Sequence, residues 1–324
     1  MNTETENFMG NTFVWWQGVV EDTADPLKLG RCRVRILGFH SENRDEVVTE
    51  HLPWASVIQP INSAAMNGIG LSPTGILSGT WVIGFFRDGN SAQEPIIMGT
   101  LGGIPTQAAD GTKGFQDPKQ KYPKQEFLNE PDTNRLARNE KIAETVVQIK
   151  KTNLEKSVFA ALNAETWTEP ETPYAAEYPK NHVYETESGH IQEFDDTPNK
   201  ERIHTYHKSG TFQEIHPKGD KVTKIVGSNY EIIVAGDKVL IKGDSSTNVN
   251  GNNNQKVGKN LNIHILGDCN ILVNGNSTME TKGNHFHKIG GACGIVSEGN
   301  MVLSAPRIDF NPVGIEPSSI SSPF

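Results

Sequence analysis

The sequence predicts an all-β protein of two unlike parts: a small N-terminal barrel and a C-terminal needle of eight-residue repeats, joined by a linker with one helix. Three observations carry this prediction. Five short alternating runs, punctuated by Gly, Pro, Asn and Asp, fill the first hundred or so residues. Ten glycines between 227 and 299 recur at a mean spacing of eight. Between these regions, residues 105–180 break both patterns.

The barrel strands are read in order. FVWWQGVVED (13–22) is apolar and β-branched. In GRCRVRILGFH (30–40), Cys32, Val34 and Ile36 face one way and Arg31, Arg33 and Arg35 the other. Runs at 53–60, 80–87 and 95–101 continue the pattern, each bounded by turn residues. Five such strands predict an OB-type barrel over 1–104, with a sandwich fragment as the alternative.

Residues 106–131 are rich in Lys, Gln, Gly and Pro and read as a loop. Asp132 is placed to cap a helix running to about Asn163, with Ile142, Val146 and Ile149, then Leu154, Val158 and Leu162, at helical spacing. ETWTEPETPYAAEYP (165–179) reads as an extended acidic linker. Residues 181–218 read as two hairpins, one turning at Glu187–His190 and one at Lys208–Gly210. Their histidines (His182, His190, His204, His207 and His216) are scattered, and no chemistry is assigned to them.

From 219 to 312 the glycines set the pattern. Gly227, Gly236, Gly243, Gly251, Gly258, Gly267, Gly275, Gly283, Gly291 and Gly299 stand 9, 7, 8, 7, 9, 8, 8, 8 and 8 residues apart. Two, four and six residues before a glycine stand Val234, Ile232 and Tyr230; Ile241 and Val239; Ile265, Ile263 and Leu261; Val273, Ile271 and Cys269; Ser297, Ile295 and Cys293. That phase is largely apolar or small, and the other carries Lys, Asp, Glu and Asn. Each repeat therefore reads as a short strand with an inward and an outward face, the glycine supplying the turn. About three small apolar side chains per repeat cannot enclose a core, and single-chain solenoids use longer turns of about 20 residues. Three chains wound together, each giving one side of a prism, would bury that stripe and leave no free edges. The expected trimer core is Val234, Ile241, Ile263, Ile265, Cys269, Ile271, Val273, Cys293 and Ile295.

His285 and His287 stand six and four residues before Gly291, in the inward phase. Repeated by threefold symmetry they become six imidazoles in two stacked rings, a donor set suited to a divalent transition metal such as iron. Rings that stack neutral, or that hold water or an anion, are the alternative. Met301, Leu303 and Ala305 continue the phase, and residues 307–312, with Phe310, close it. The last twelve residues, 313–324, are rich in Pro and Ser and read as a tail along the outside.

Composition narrows the function classes. A formal charge of -9 argues against gripping phosphate backbones. No run approaches ~18 apolar residues, so no membrane-spanning helix is expected, and MNTETENFMG has no apolar core of a secretory signal. Three cysteines cannot all pair within one chain, which fits synthesis in a reducing compartment.

The stretches WWQGVVEDTADPLKLGRCRVRILGFH (15–40), LPWASVIQPINSAAMNGIGLSPTGILSGTWVIGFFRDG (52–89) and IMGTLGGI (97–104) resemble the OB domain of the baseplate hub and cell-puncturing proteins of T-even-type contractile-tailed phages. TESGHIQEFDDTPNKERIHTYHKSGTFQEIHPKG (186–219) resembles the entry to the trimeric β-helix that these proteins share with type VI secretion spikes. The resemblance implies a virion protein of the tail baseplate that acts as a homotrimer and pierces a host outer membrane. It implies seating on a trimeric hub protein at the tube end and a PAAR-type tip protein, with Met301, Leu303 and Phe310 at that contact. It further implies iron held by the His-x-His pair near the tip. The best-known members carry a lysozyme domain between barrel and needle. The 76 residues of 105–180 leave no room for one, and Glu140, Glu144 and Glu155 read as solvated helix positions, so no enzyme is expected.

Three rival readings remain at this stage. One is a spike with residual wall-hydrolase activity, although no acid/base pair stands at useful spacing. Another is a type VI-like spike that delivers effectors. The third is nucleic-acid binding by the barrel, drawn from Trp15, Trp16 and the three arginines, which the acidic balance disfavours.

Overall fold

The computed structural model describes residues 13–140, 159–160, 166–308 and 310. The chain falls into two compact units, Met1–Asn250 and Gly251–Phe324. Every named element lies in the first.

Five strands close a barrel: β1 (Trp15–Asp22), β2 (Cys32–Ile36), β3 (Trp54–Val57), β4 (Trp81–Phe86) and β5 (Pro95–Thr100). Their order is β1-β2-β3-β5-β4, antiparallel throughout except for the parallel pair β3–β5, which is the OB topology. The expected runs lie where the sequence put them, each trimmed by one to several residues at its ends. Alternation sends Trp16, Val20, Val34, Ile36, Val82, Phe86 and Ile97 into the interior. Gly84 makes room for the Trp16 indole, since a Cβ there would collide with that ring and with the Ile96 carbonyl.

The outward face of β2 departs from a solvated strand. Arg35 is fully buried and forms a forked ion pair with Glu21, itself buried, at 2.6 and 3.2 Å. Its remaining N–H groups donate to the carbonyls of Ser41 and Val47, so the 41–49 loop covers that face.

The expected helix is corrected where it can be seen. Residues 132–140 form turns, and no α-helix occurs among the described residues. Asp132 caps nothing. Its carboxylate accepts the Gly103 N–H at 2.9 Å, and its own N–H donates to the Gly103 carbonyl. Residues 141–158 and 161–165 lie outside the described residues, but strand β6 (Phe159–Ala160), paired with β7 (Thr166–Trp167), stands inside the expected helical span. Aromatic and β-branched residues here favour pairing over helix.

Both expected hairpins are present within a five-stranded meander: β8 (Asn181–Glu185), β9 (Ile191–Asp195), β10 (Arg202–Tyr206), β11 (Phe212–Ile215) and β12 (Lys221–Lys224). One face packs on Leu136 and Tyr174 from the preceding segment, with Ile191, Tyr206 and Phe212 in its core. That face also holds a charged cluster. Arg202 bridges Glu193 at 2.6 Å and Glu214 at 2.9 Å, and His204 Nδ1 lies 2.6 Å from Glu193. Thr172 and Asn181 donate to the same two carboxylates.

Candidate functional site

From Val226 onward the backbone is extended and bends at fixed intervals. The bends fall at Val226-Gly227, Val234-Ala235 and Lys242-Gly243, then at Asn250-Gly251, Gly258-Lys259, Leu266-Gly267, Asn274-Gly275, Lys282-Gly283, Gly290-Gly291 and Glu298-Gly299. The steps are eight without exception. The glycines drift from this count because the bend does not need them: Ala235 and Lys259 occupy it at two places.

Every described residue from 227 on is exposed, and none forms a named strand. The exposure nevertheless repeats. The residue just before each bend is Ile225, Ile233, Ile241, Val249, Val257, Ile265, Val273, Thr281, Ile289 or Ser297. The eight Ile and Val side chains among them are all 41–55% exposed, whereas Val234 and Leu266, on bends, are 97% and 94% exposed. A β-branched row this regular, left half-open by its own chain, is a face that awaits a cover.

The strict count shifts one repeat: Ile241, Ile263, Ile265, Cys269, Ile271, Val273, Cys293 and Ile295 share the phase of the row, whereas Tyr230, Ile232 and Val234 stand in the opposite one, with Val234 on a bend and Ile233 in the row. His285, His287, Met301 and Leu303 are in phase, while Phe310 lies in the opposite one. Cys269 and Cys293 are free thiols, exposed in the single chain.

The repeat glycines have no explanation within the chain. None has φ in the left-handed region, and a Cβ added at any of them meets nothing within 4 Å. A recurring glycine that neither its own φ nor its own packing requires points to close approach by something outside the chain.

The rings of His285 and His287 have centroids 6.5 Å apart and stand at 77° to one another. Among the described residues no group of three or more His, Cys, Asp or Glu gathers within the chain to hold a metal. Two imidazoles alone are too few donors to fill the coordination shell of a divalent transition metal.

The other candidate residues are committed elsewhere. Arg31 pairs with Asp25 at 2.7 Å, Arg33 donates to the carbonyls of Thr49 and Leu52 and lies over Trp54, and Arg35 is held by Glu21. Trp16 is core, and Trp15 packs edge-on against Phe13. Glu140 pairs with Arg138, and Glu144 and Glu155 lie outside the described residues.

Sequence reasoning missed the buried charges of the sheet. Burial pushes the Glu193 carboxyl up, but the His204 hydrogen bond and the positive charges of Arg202 and His204 outweigh it and hold it below its ordinary value. Burial likewise disfavours charged Arg202, and Glu193 and Glu214 more than restore it. The signal was present: Glu193, Arg202, His204 and Glu214 alternate in step with Ile191, Tyr206 and Phe212.

A family model described as the Gp5 N-terminal OB domain matches residues 38–201, half of the chain. The chain belongs to this family. It is 48% identical over 265 residues to Protein Gp5 of Vibrio phage KVP40, which covers 72% of this chain and 63% of that protein. It is 49% identical over 121 residues to the pre-baseplate central spike protein Gp5 of Enterobacteria phage T4, covering 36% of this chain and 21% of that protein. The chain thus spans less than two thirds of the length of either relative.

Proposed function

We propose that this chain is the central spike of a contractile phage tail baseplate, a homotrimer whose repeats wind into a needle that pierces the host outer membrane. The observation that carries the reading is the unbroken eight-residue bend with its half-covered Ile and Val row. Covering the exposed half of each such side chain is worth about 1 kcal/mol, and a row of eight per chain gives the trimer a substantial driving force. Three copies also supply the close approach that the repeat glycines call for and pair the extended backbone, whose lone strands would be unstable edges. Continuous cross-chain pairing gives the axial stiffness and slow unfolding that piercing demands.

In this reading the barrel seats the spike on a trimeric hub protein at the tube end, and the segment around Met301 and Leu303 meets a PAAR-type tip protein. His285 and His287 from three chains would hold iron or a similar divalent metal, which would tie the chains together at one level. The work is mechanical. Glu193 and Glu214, the two carboxylates that flank Arg202, are sealed in the sheet and cannot reach a polymeric substrate. In an unheated detergent gel the purified chain runs as a trimer and collapses to a single chain on boiling, with no clearing of peptidoglycan in the same gel. A single-chain band without heating, or a clearing zone, contradicts the proposal.

A further inference from the structure

The five-stranded sheet ends in an open edge. Its strands run β12-β11-β10-β9-β8, so β8 lies at the opposite edge from the strand that continues into the repeats. β8 pairs with β9, and the pairing continues past both ends: the Asp196 N–H donates to the Lys180 carbonyl and the Thr186 N–H to the His190 carbonyl. Hydrogen-bonded positions alternate in an antiparallel pair, so Lys180, His182, Tyr184 and Thr186 turn their backbones to β9. Asn181, Val183 and Glu185 turn theirs outward, and among the described residues none of their backbone N–H or carbonyl groups has a partner. No proline, lysine or bulge, the usual protections of an edge, interrupts the strand.

A groove of about 570 Å³ runs along this edge, between β8 and the turns at 132–137. It is lined by every residue of β8, from both faces of the sheet, and so lies beside the strand. Asp132 and Glu185 line it, and among the described residues neither forms an ion pair, whereas the nearby Arg135 and Arg138 are tied to Glu130. The one histidine in the lining, His182, stands 3.5 Å from Asp196. Asn181 is 3% exposed and its Oδ1 has no partner among the described residues, so the wall of the groove also holds an unused acceptor.

We infer that this edge takes an extended, Lys- or Arg-bearing segment of another protein as a sixth strand. The backbone sets the shape of the guest: outward N–H and carbonyl groups at every second residue match an extended chain and do not match a helix. The five residues of β8 span about 17 Å, which admits about five residues of a partner. The groove sets its charge: two carboxylates without a cation are complemented by a basic side chain on the added strand. The inference goes beyond the spike reading and does not depend on it, because β8 and the entry to the repeats stand at opposite edges of the sheet.

Hydrogen exchange resolved to single amides on the purified full-length chain tests this, with a blocked peptide of alternating Lys and Val, about ten residues long, as the probe. At about 1 mM peptide the Asn181, Val183 and Glu185 amides slow by about tenfold, while those of His182 and Tyr184, already bonded to β9, do not change. The same peptide with Glu in place of Lys has no effect. Val183→Pro removes the central outward N–H, leaves the bonds to β9 in place and abolishes the slowing. If that proline also frees the His182 and Tyr184 amides, the sheet has opened, and Asp132→Asn with Glu185→Gln is read in its place; that variant cuts the slowing by about threefold or more. Outward amides that are already slow in the free protein overturn the inference, because the edge is then covered by the chain itself or by a second copy. It is equally overturned if neither peptide slows them, if both do so alike, or if the charge-neutral variant binds as well as the wild type.

Discussion

Ile233 and Val234 are neighbours, both β-branched, yet only one of them can face the needle interior. The glycine count puts Val234 in the row and the bend count puts Ile233 there. Ile233 is 48% exposed in one chain, and covering the rest is worth about 1 kcal/mol, or roughly 3 kcal/mol in a trimer. Ile233→Asp forfeits that and sets three carboxylates at one level of an apolar interior, where each buried unpaired charge costs several kcal/mol or must take up a proton. The expected loss is about 5 kcal/mol or more per trimer. Val234 is 97% exposed, so Val234→Asp is expected to stay within about 0.5 kcal/mol per chain, as surface changes do. The assay is the temperature at which the trimer band in an unheated detergent gel gives way to single chains. Ile233→Asp lowers that temperature sharply and Val234→Asp leaves it near that of the wild type. Equal damage from both, or greater damage from Val234→Asp, refutes the phase taken from the bends.

Arg202→Met strands Glu193 and Glu214 in the sheet and is expected to cost about 3–5 kcal/mol, since breaking a buried pair leaves uncompensated charge; denaturant unfolding of the full chain measures it. Because the Glu193 carboxyl is held below its ordinary 4.5, its contribution is complete above that pH and drains away as pH falls through the lowered value; melting temperatures between pH 7 and pH 3 show the decline, which Glu193→Gln flattens. His285→Ala and His287→Ala are each expected to empty the axial site, read as loss of bound iron by elemental analysis, with the trimer retained because the Ile and Val row remains.

The barrel was legible because five amphipathic strands with turn residues between them leave few other folds open. The cover over Arg35 was not, because it depends on the 41–49 loop folding back over β2, with contacts six and twelve residues away that no strand alternation marks. Asp132 looked like a helix cap, but a carboxylate accepts the nearest N–H, and tertiary contact brought Gly103 to it. The repeat was visible through its glycines, and its true phase was blurred by them. The bend recurs every eight residues whether or not a glycine occupies it, and Gly236 and Gly258 each stand one residue off. The charged interior of the sheet was hidden because alternating Glu, Arg and His are read as solvent-facing unless their partners across the strands are known. His285 and His287 share the row's phase, as the sequence spacing already indicated.

The central claim is that no single chain covers its own repeat. An electron cryo-microscopy map of the purified full-length protein tests it most directly. The expected map has three chains in every cross-section of the needle, with Ile233, Ile265 and Val273 turned toward a shared axis. A map in which residues past Val226 fold as one compact chain, with that row in its own interior or facing solvent, contradicts the account.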